Sequence, residues 1–317
     1  MTRILRQSGT LLGFAAILVF LAIQLPGTFL TARNLINISQ QLSMLAVVAA
    51  TMTIVMVMND FDLSVGSMAS LAGIVATVLF AMGFPVWFGL LAALGVGLLG
   101  GLLNGFLVSV LGILPFVATL GTLTVFSGTA FLISDGKTIF GRDIPDSFSG
   151  YARAGIEIGD VKIPFLTLTA LAVIAVCWFV LEQTNFGRRL YAIGGNREAA
   201  FLAGIRVKRL RQIAFALTGL GAAGAGLMYA ARVASANPTQ GSGLMLDAIA
   251  AVFLGMTMSR QGEPRVLYTL VGVLMLGVLD NGLTQLRVDS YIREILVGLI
   301  VISAVATAAF PKRNMRN

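Results

Sequence analysis

Runs of about 20 apolar residues recur along the whole of this 317-residue chain, and that is the length a helix needs to cross a bilayer. Ten such runs can be marked, at roughly 10–29, 40–58, 64–83, 86–111, 115–133, 164–182, 212–232, 243–258, 265–283 and 292–310. Lipid offers the backbone no hydrogen-bond partner, so spanning segments must be helices or closed barrel strands. Barrel strands alternate in polarity over about ten residues, and these runs are longer and evenly apolar. Charged residues make up 11% of the chain against roughly 25% in soluble domains. The expected fold is therefore all-α: a polytopic integral membrane protein of about ten transmembrane helices, with broken or re-entrant segments. Residues 1–317 read as a single transmembrane domain with no soluble domain boundary. The charged start and the apolar Thr10–Gln24 resemble a signal peptide, but no clear small-residue cleavage site follows, so this is read as the first span.

An even number of spans puts both termini on one side. With the termini inside, fourteen of the 22 Lys and Arg fall in inside segments and eight at outside or span-end positions. That bias is what cytoplasmic termini require. It also assigns the net charge of +8 to membrane topology, with a lipid membrane and no nucleic acid as the partner. Residues 134–163 become the main extracytoplasmic loop and residues 183–211 a cytoplasmic one.

The chain has no His and a single cysteine, Cys177, in an apolar run. His-based metal sites, His proton relays and intrachain disulfides are excluded, and no metal site is expected. Gly95-Val96-Gly97-Leu98-Leu99-Gly100 fits the dinucleotide pattern, but it lies inside a span with no strand before it. Gly97, Gly101 and Gly105 instead form a small stripe for close helix packing, and Gly221, Ala222, Ala225 and Gly226 repeat the device. Gly136-Lys137-Thr138 resembles the end of a phosphate-binding loop, yet Phe131 stands where its first glycine is needed. No cofactor site is expected on this chain; if ATP drives it, another chain supplies the ATPase.

Four stretches carry the functional signal. In Asn59-Asp60-Phe61-Asp62-Leu63-Ser64-Val65-Gly66-Ser67, two carboxylates sit where one apolar run hands over to the next. Asp62 either caps the following helix or marks a helix broken at a substrate path. Leu114-Pro115-Phe116-Val117-Ala118-Thr119-Leu120-Gly121-Thr122 is either a plain helix start or a threonine edge facing a cavity. Ala236-Asn237-Pro238-Thr239-Gln240-Gly241-Ser242-Gly243 is a turn-rich outside loop feeding a helix that carries Asp247. The fourth is Asn185–Arg211, a polar island with seven basic residues. There Asn196 suits an N-cap, Glu198 a first turn and Gly204 a C-terminal cap, which predicts a short helix over about Arg197–Ala203. Ala199, Ala200 and Ala203 would share one small face that seats in a partner's groove; the other reading is a basic helix on anionic lipid, with Phe201 and Leu202 dipping in.

Taken together these stretches resemble the permease subunits of ribose-type sugar ABC importers. The resemblance rests on Asp62-Leu63-Ser64-Val65-Gly66-Ser67, Pro115 to Gly121, Gly187-Arg188-Arg189 with Tyr191 to Asn196, Ala199-Ala200 with Gly204-Ile205, and Asn237-Pro238 with Asp247 to Ala251, all in family order. It implies a bacterial inner-membrane permease, paired with a second copy or a paralogue, a cytoplasmic ATPase that binds ATP and Mg, and a periplasmic sugar-binding protein. By that resemblance the coupling helix is Asn196, Arg197, Glu198, Ala199, Ala200, Ala203 and Gly204; candidates for the translocation path are Asp60, Asp62, Ser64, Asn104, Phe116 and Thr119; and Asn237, Thr239 and Gln240 are candidates for binding-protein contact. Met245 stands where the family carries glutamate, and Gly255-Met256 departs from its pattern. The expected function is import of a monosaccharide or polyol without covalent chemistry on this chain. The alternatives are an ion-coupled secondary transporter using Asp60 and Asp62, or a membrane anchor for a cytoplasmic partner.

Overall fold

The computed structural model describes residues 2–159, 161–259 and 261–313. Helices account for most of it: α1 (Thr2–Gln24), α2 (Ala32–Met56), α3 (Val65–Ala81), α4 (Val86–Ser109) and α5 (Pro115–Ser134) precede a mixed polar segment. That segment holds β1 (Ile139–Phe140), α6 (Asp146–Arg153), β2 (Gly155–Ile158) and β3 (Val161–Pro164). Then come α7 (Phe165–Trp178), α8 (Asn185–Gly195), α9 (Arg197–Leu202), α10 (Val207–Val233), β4 (Ser235–Ala236), α11 (Leu244–Met258), α12 (Val266–Gln285) and α13 (Ser290–Arg313). Among the described residues six helices are long and apolar enough to cross a membrane, namely α2, α4, α5, α7 with its continuation to Gln183, α10 and α12. The apolar part of α1, with α3 and α11, is shorter.

Three departures from the expected spans have local causes. Helix α2 begins eight residues before its apolar run, because Thr31 caps it by accepting a hydrogen bond from the Asn34 amide at 3.2 Å. Helix α10 begins at Val207, so Lys208, Arg209 and Arg211 lie in a helix and not in a loop. The expected all-α fold is interrupted by two short antiparallel ribbons, β1 with β4 and β2 with β3. The former ties the segment after α5 to the segment after α10.

Helix α10 is the mast of the bundle, packed on α2, α3 and α4. The glycine stripe of α4 lies directly against the α10 backbone. A side chain on Gly97 would strike the Gly219 carbonyl and the Ala223 methyl, one on Gly101 the Phe215 carbonyl, and one on Gly105 the Gln212 backbone. The pairing order shows that α4 and α10 run antiparallel. Gly226 meets α3 at Ala69, and Gly221 meets Thr51 of α2. In lipid, where apolar burial gives helices little reason to associate, such close backbone approach supplies the packing energy.

Candidate functional site: the elbow between α2 and α3

Helix α2 ends where Asn59 turns the chain with a positive φ of 59°, a conformation that asparagine tolerates better than most residues. Its side-chain amide donates to the Gly194 carbonyl of α8 at 2.7 Å. Gly194 in turn lies so close to the Val57 carbonyl that no side chain would fit there. The elbow is thus seated on the polar island.

Asp60 is 1% exposed and is held by two arginines from that island. Arg211 of α10 gives Nε to Oδ2 at 2.7 Å and Nη2 to Oδ1 at 2.9 Å, and Arg197 of α9 gives Nη2 to Oδ1 at 3.0 Å. Both arginines reach further: Arg211 Nη1 donates to the Val108 carbonyl at 3.3 Å, and Arg197 Nη2 to the Met58 carbonyl at 3.4 Å. A bidentate, charge-assisted pair with its remaining donors satisfied is the geometry that offsets the desolvation of buried charge. One carboxylate therefore joins the end of α2, the start of α9 and the start of α10, and Arg211 extends the joint to the end of α4.

Asp62 belongs to a second network, one without a cation. Its Oδ1 accepts from the Ser64 amide at 2.9 Å and the Ser64 hydroxyl at 2.6 Å, a turn two residues long that leads into α3. Asn104 of α4 donates from Nδ2 to Ser64 Oγ at 2.8 Å and, at 3.3 Å, to Asp62 Oδ1, while its own Oδ1 accepts from the Thr122 hydroxyl of α5 at 2.6 Å. Thr119, one turn before Thr122, donates to the Pro115 carbonyl at 2.8 Å and to the Phe61 carbonyl at 3.5 Å. Among the described residues no arginine or lysine lies within 4 Å of Asp62. The aspartate neither caps α3 in the ordinary way nor pairs with a cation; it pins the break in the chain to α4 and α5.

Five of the six residues read as path candidates, Asp60, Asp62, Ser64, Asn104 and Thr119, meet at this elbow and are all buried. Phe116 does not join them; its ring is exposed on the outer side of α5. Arg211 and Thr122 belong to the cluster as well; Thr122 ends the threonine stretch noted above, whereas Arg211 stood only as one of seven basic residues in the island. The one available clue was an arginine at the edge of an apolar run, with Asp60 needing a partner.

The short helix α9 forms with the expected caps. Asn196 Oδ1 accepts from the Ala199 amide at 2.9 Å, and Gly204 ends the turn with a φ of 80°. Its faces differ from the expected ones. Ala200 is buried against its own chain, beneath the turn closed by the Ile205 amide on its carbonyl, whereas Ala199, Ala203 and Glu198 are exposed. Phe201 and Leu202 stand out most, 67% and 78% exposed. The surface that α9 presents therefore combines Phe201 and Leu202 with the small Ala199 and Ala203, and lacks only Ala200 of the expected alanine face.

The segment before α11 also differs in part. Asn237 Oδ1 accepts from the Thr239 amide and hydroxyl, and Asn237 Nδ2 reaches Thr138 Oγ1 at 2.8 Å. Thr239 is exposed. Gln240 turns inward, its amide nitrogen against Gly73 and toward the Gly226 carbonyl, and the Gly241 amide donates to Ser70 Oγ at 2.9 Å. Gln240 and Gly241 therefore wedge the segment between α3 and α10, with Gln240 partly buried there and Thr239 left exposed. Helix α11 runs unbroken through Gly255-Met256, and Gly255 lies against the backbone of α12 at Tyr268 and Thr269.

Comparison with known proteins agrees with this architecture. A family described as branched-chain amino acid transport system / permease component matches residues 34–305. The chain is 35% identical to the ribose import permease protein RbsC of Bacillus subtilis over 302 residues, covering 95% of this chain and 92% of that protein. It is 37% identical to RbsC of Escherichia coli K12, covering 92% and 90%. It is 34% identical to the L-arabinose transport system permease protein AraH of the same organism, covering 99% and 94%. Among solved structures, an inward-facing metal-chelate type ABC transporter superposes with a TM-score of 0.54 at 16% identity over 95% of this chain and 98% of that one, a likeness of fold.

Proposed function

We infer that this chain, which belongs to the family of branched-chain amino acid transport system / permease components, is the transmembrane subunit of an ATP-driven importer for a monosaccharide. The relatives named for ribose and L-arabinose support a sugar as cargo. In this reading the chain makes ten passes through a bacterial inner membrane, with both termini and the island of α8 and α9 in the cytoplasm. It works with a second permease copy or paralogue, a cytoplasmic ATPase that holds ATP and Mg, and a periplasmic binding protein that delivers the sugar.

The observation that carries this reading is the joint at Asp60. Helix α9 is a capped, projecting element whose first residue, Arg197, is bonded to the elbow carboxylate that also holds α10. A force applied to α9 by an ATPase reaches the elbow through one salt bridge. From there it passes two residues along the chain to Asp62, Ser64 and Asn104, where α3, α4 and α5 meet. Alternating access follows if this second network opens and closes as the elbow moves, since two discrete packings of one network make a switch. Residues 237–239, at the far end of α10, are the surface offered to the binding protein.

Affinity purification of the chain from its own membranes, followed by mass spectrometry, tests the reading. An ABC ATPase and a periplasmic sugar-binding protein are expected in the complex. Recovery of the chain alone, from membranes where it is functional, would speak for the ion-coupled alternative.

A further inference from the structure

The mast helix α10 has one face that no other spanning helix covers, and that face begins in a basic pocket. At the elbow end a cavity of about 570 Å³ is lined by Arg189 of α8 and by Arg206 and Arg209 at the start of α10, with Gly204 and Ile213 beside them. Among the described residues no carboxylate lies within 4 Å of these three guanidinium groups. The other arginines of the same island that face inward, Arg197 and Arg211, are both committed to Asp60. Three exposed guanidinium groups lining one concavity give it a positive potential suited to an anion.

The same face continues as hydrocarbon. Arg209, Ile213, Leu217, Leu220 and Gly224 follow one another at three- or four-residue spacing, so they form a single stripe along the helix. All of them are accessible, whereas Ala214, Thr218, Ala222 and Ala225, on the side toward α2, are buried. From Leu217 onward the stripe forms one wall of a second cavity, of about 630 Å³, which lies between α4 and α7 and is lined almost wholly by apolar side chains. Gly224 opens into it: a side chain there would meet nothing within 4 Å. From Arg209 to Leu220 is eleven residues, about 16 Å of rise, close to one leaflet's half of a ~30 Å hydrocarbon core. An arginine pocket at one end of α10, with an apolar groove that begins at Leu217 and continues past Gly224, has the polarity of a phospholipid site: a cationic seat for the headgroup and hydrocarbon above it.

We propose that this face of α10 is a binding site for an anionic phospholipid of the leaflet at the elbow end, the cytoplasmic leaflet in the proposed orientation. Its phosphate is held by Arg189, Arg206 and Arg209, and one acyl chain lies along Ile213, Leu217 and Leu220 into the groove at Gly224. Because Gly204 borders the same pocket, the lipid lies beside the end of α9 and stabilises the position of the island. Basic pockets beside membrane helices on the cytoplasmic side are recurrent sites for anionic headgroups. An acidic patch on a protein partner is the competing occupant, but it would leave the groove above the pocket unexplained.

Native mass spectrometry of the purified full chain, supplied with equal amounts of phosphatidylglycerol and phosphatidylcholine of matched chain length, tests the site. Phosphatidylglycerol is expected to be retained selectively. The combined R189Q/R206Q/R209Q variant should lose that selectivity by about tenfold or more. The control R188Q/K208Q, which removes two positive charges of the same island outside the pocket, should keep it. Gly224→Phe, which fills the groove and leaves the arginines intact, should also weaken retention. Equal loss in the control variant, displacement of the lipid by inorganic phosphate, or retention unchanged in the triple arginine variant would each overturn the proposal. If the triple variant instead loses a co-purified ATPase while keeping its lipid, the pocket is a protein contact and the proposal fails. The lipid readout needs only the membrane chain, so that readout is independent of whether the protein imports sugar.

Discussion

Arg211 at the start of α10 and Asp60 in the elbow, 151 positions apart in the chain, meet through two parallel hydrogen bonds of 2.7 and 2.9 Å. Both are buried, so loss of either partner strands a charge. Asp60→Asn is expected to destabilise the protein by about 3–5 kcal/mol. Arg197→Gln should cost only about 1 kcal/mol, because that side chain is nearly half exposed and water screens its share of the pair. Thermal unfolding in detergent, followed by loss of the monodisperse peak, measures both. Equal effects from the two substitutions would contradict a joint centred on Arg211.

The network of Asp62, Ser64, Asn104 and Thr122 should behave as a unit. Thr122→Val leaves Asn104 Oδ1 buried without its donor, and Asn104→Ala removes that acceptor together with a donor to Ser64. Each is expected to cost about 1–3 kcal/mol. The double variant should cost clearly less than the sum, since both act through one bond. Additive losses would mean that Thr122 and Asn104 are not energetically linked.

The first two of the three glycines in the motif that mimics a dinucleotide fingerprint should respond in opposite ways. Gly95 faces open space and Gly97 lies against the α10 backbone. Gly95→Leu is expected to express and fold like the parent chain. Gly97→Leu must push α4 and α10 apart and should yield little folded protein. If the sequence bound a nucleotide through this motif, both substitutions would impair binding and neither need disturb packing.

The exposed pair on α9 should matter more to a partner than to the fold. Phe201→Asp and Leu202→Asp are expected to leave thermal stability within about 0.5 kcal/mol of the parent, while reducing recovery of the ATPase on co-purification by tenfold or more. Ala200→Trp should act differently, by disrupting the turn at Gly204 and lowering stability itself. Undiminished ATPase recovery with both aspartates present would remove α9 as the contact.

Much of this architecture was legible because its signals are local. Apolar runs mark the spans; glycines four residues apart on α4 mark the mast contact; Asn196 and Gly204 mark both ends of α9. The remainder depends on the partner that a residue meets. Asp60 and Arg211 each read as an isolated charge until the chain brings them together. Ala200 looked available because helical spacing sets it beside Ala203, but the return of the chain at Ile205 covers it. Gln240 read as a surface loop residue because its neighbours are turn formers, yet the glycines at positions 73, 226 and 241 make room for the loop to dip inward. The early start of α2 was hidden by Asn34, Asn37 and Ser39, polar residues that hydropathy excludes and that a cap retains.

The central claim is that ATP hydrolysis on a partner, delivered through α9, drives sugar across this chain. Uptake of radiolabelled ribose and arabinose into proteoliposomes tests it most directly, with the chain reconstituted beside its co-purifying ATPase and binding protein. The expected result is uptake that requires ATP on the ATPase side, persists in the presence of ionophores and disappears with Leu202→Asp. Uptake that collapses with ionophore and is indifferent to ATP would contradict the account.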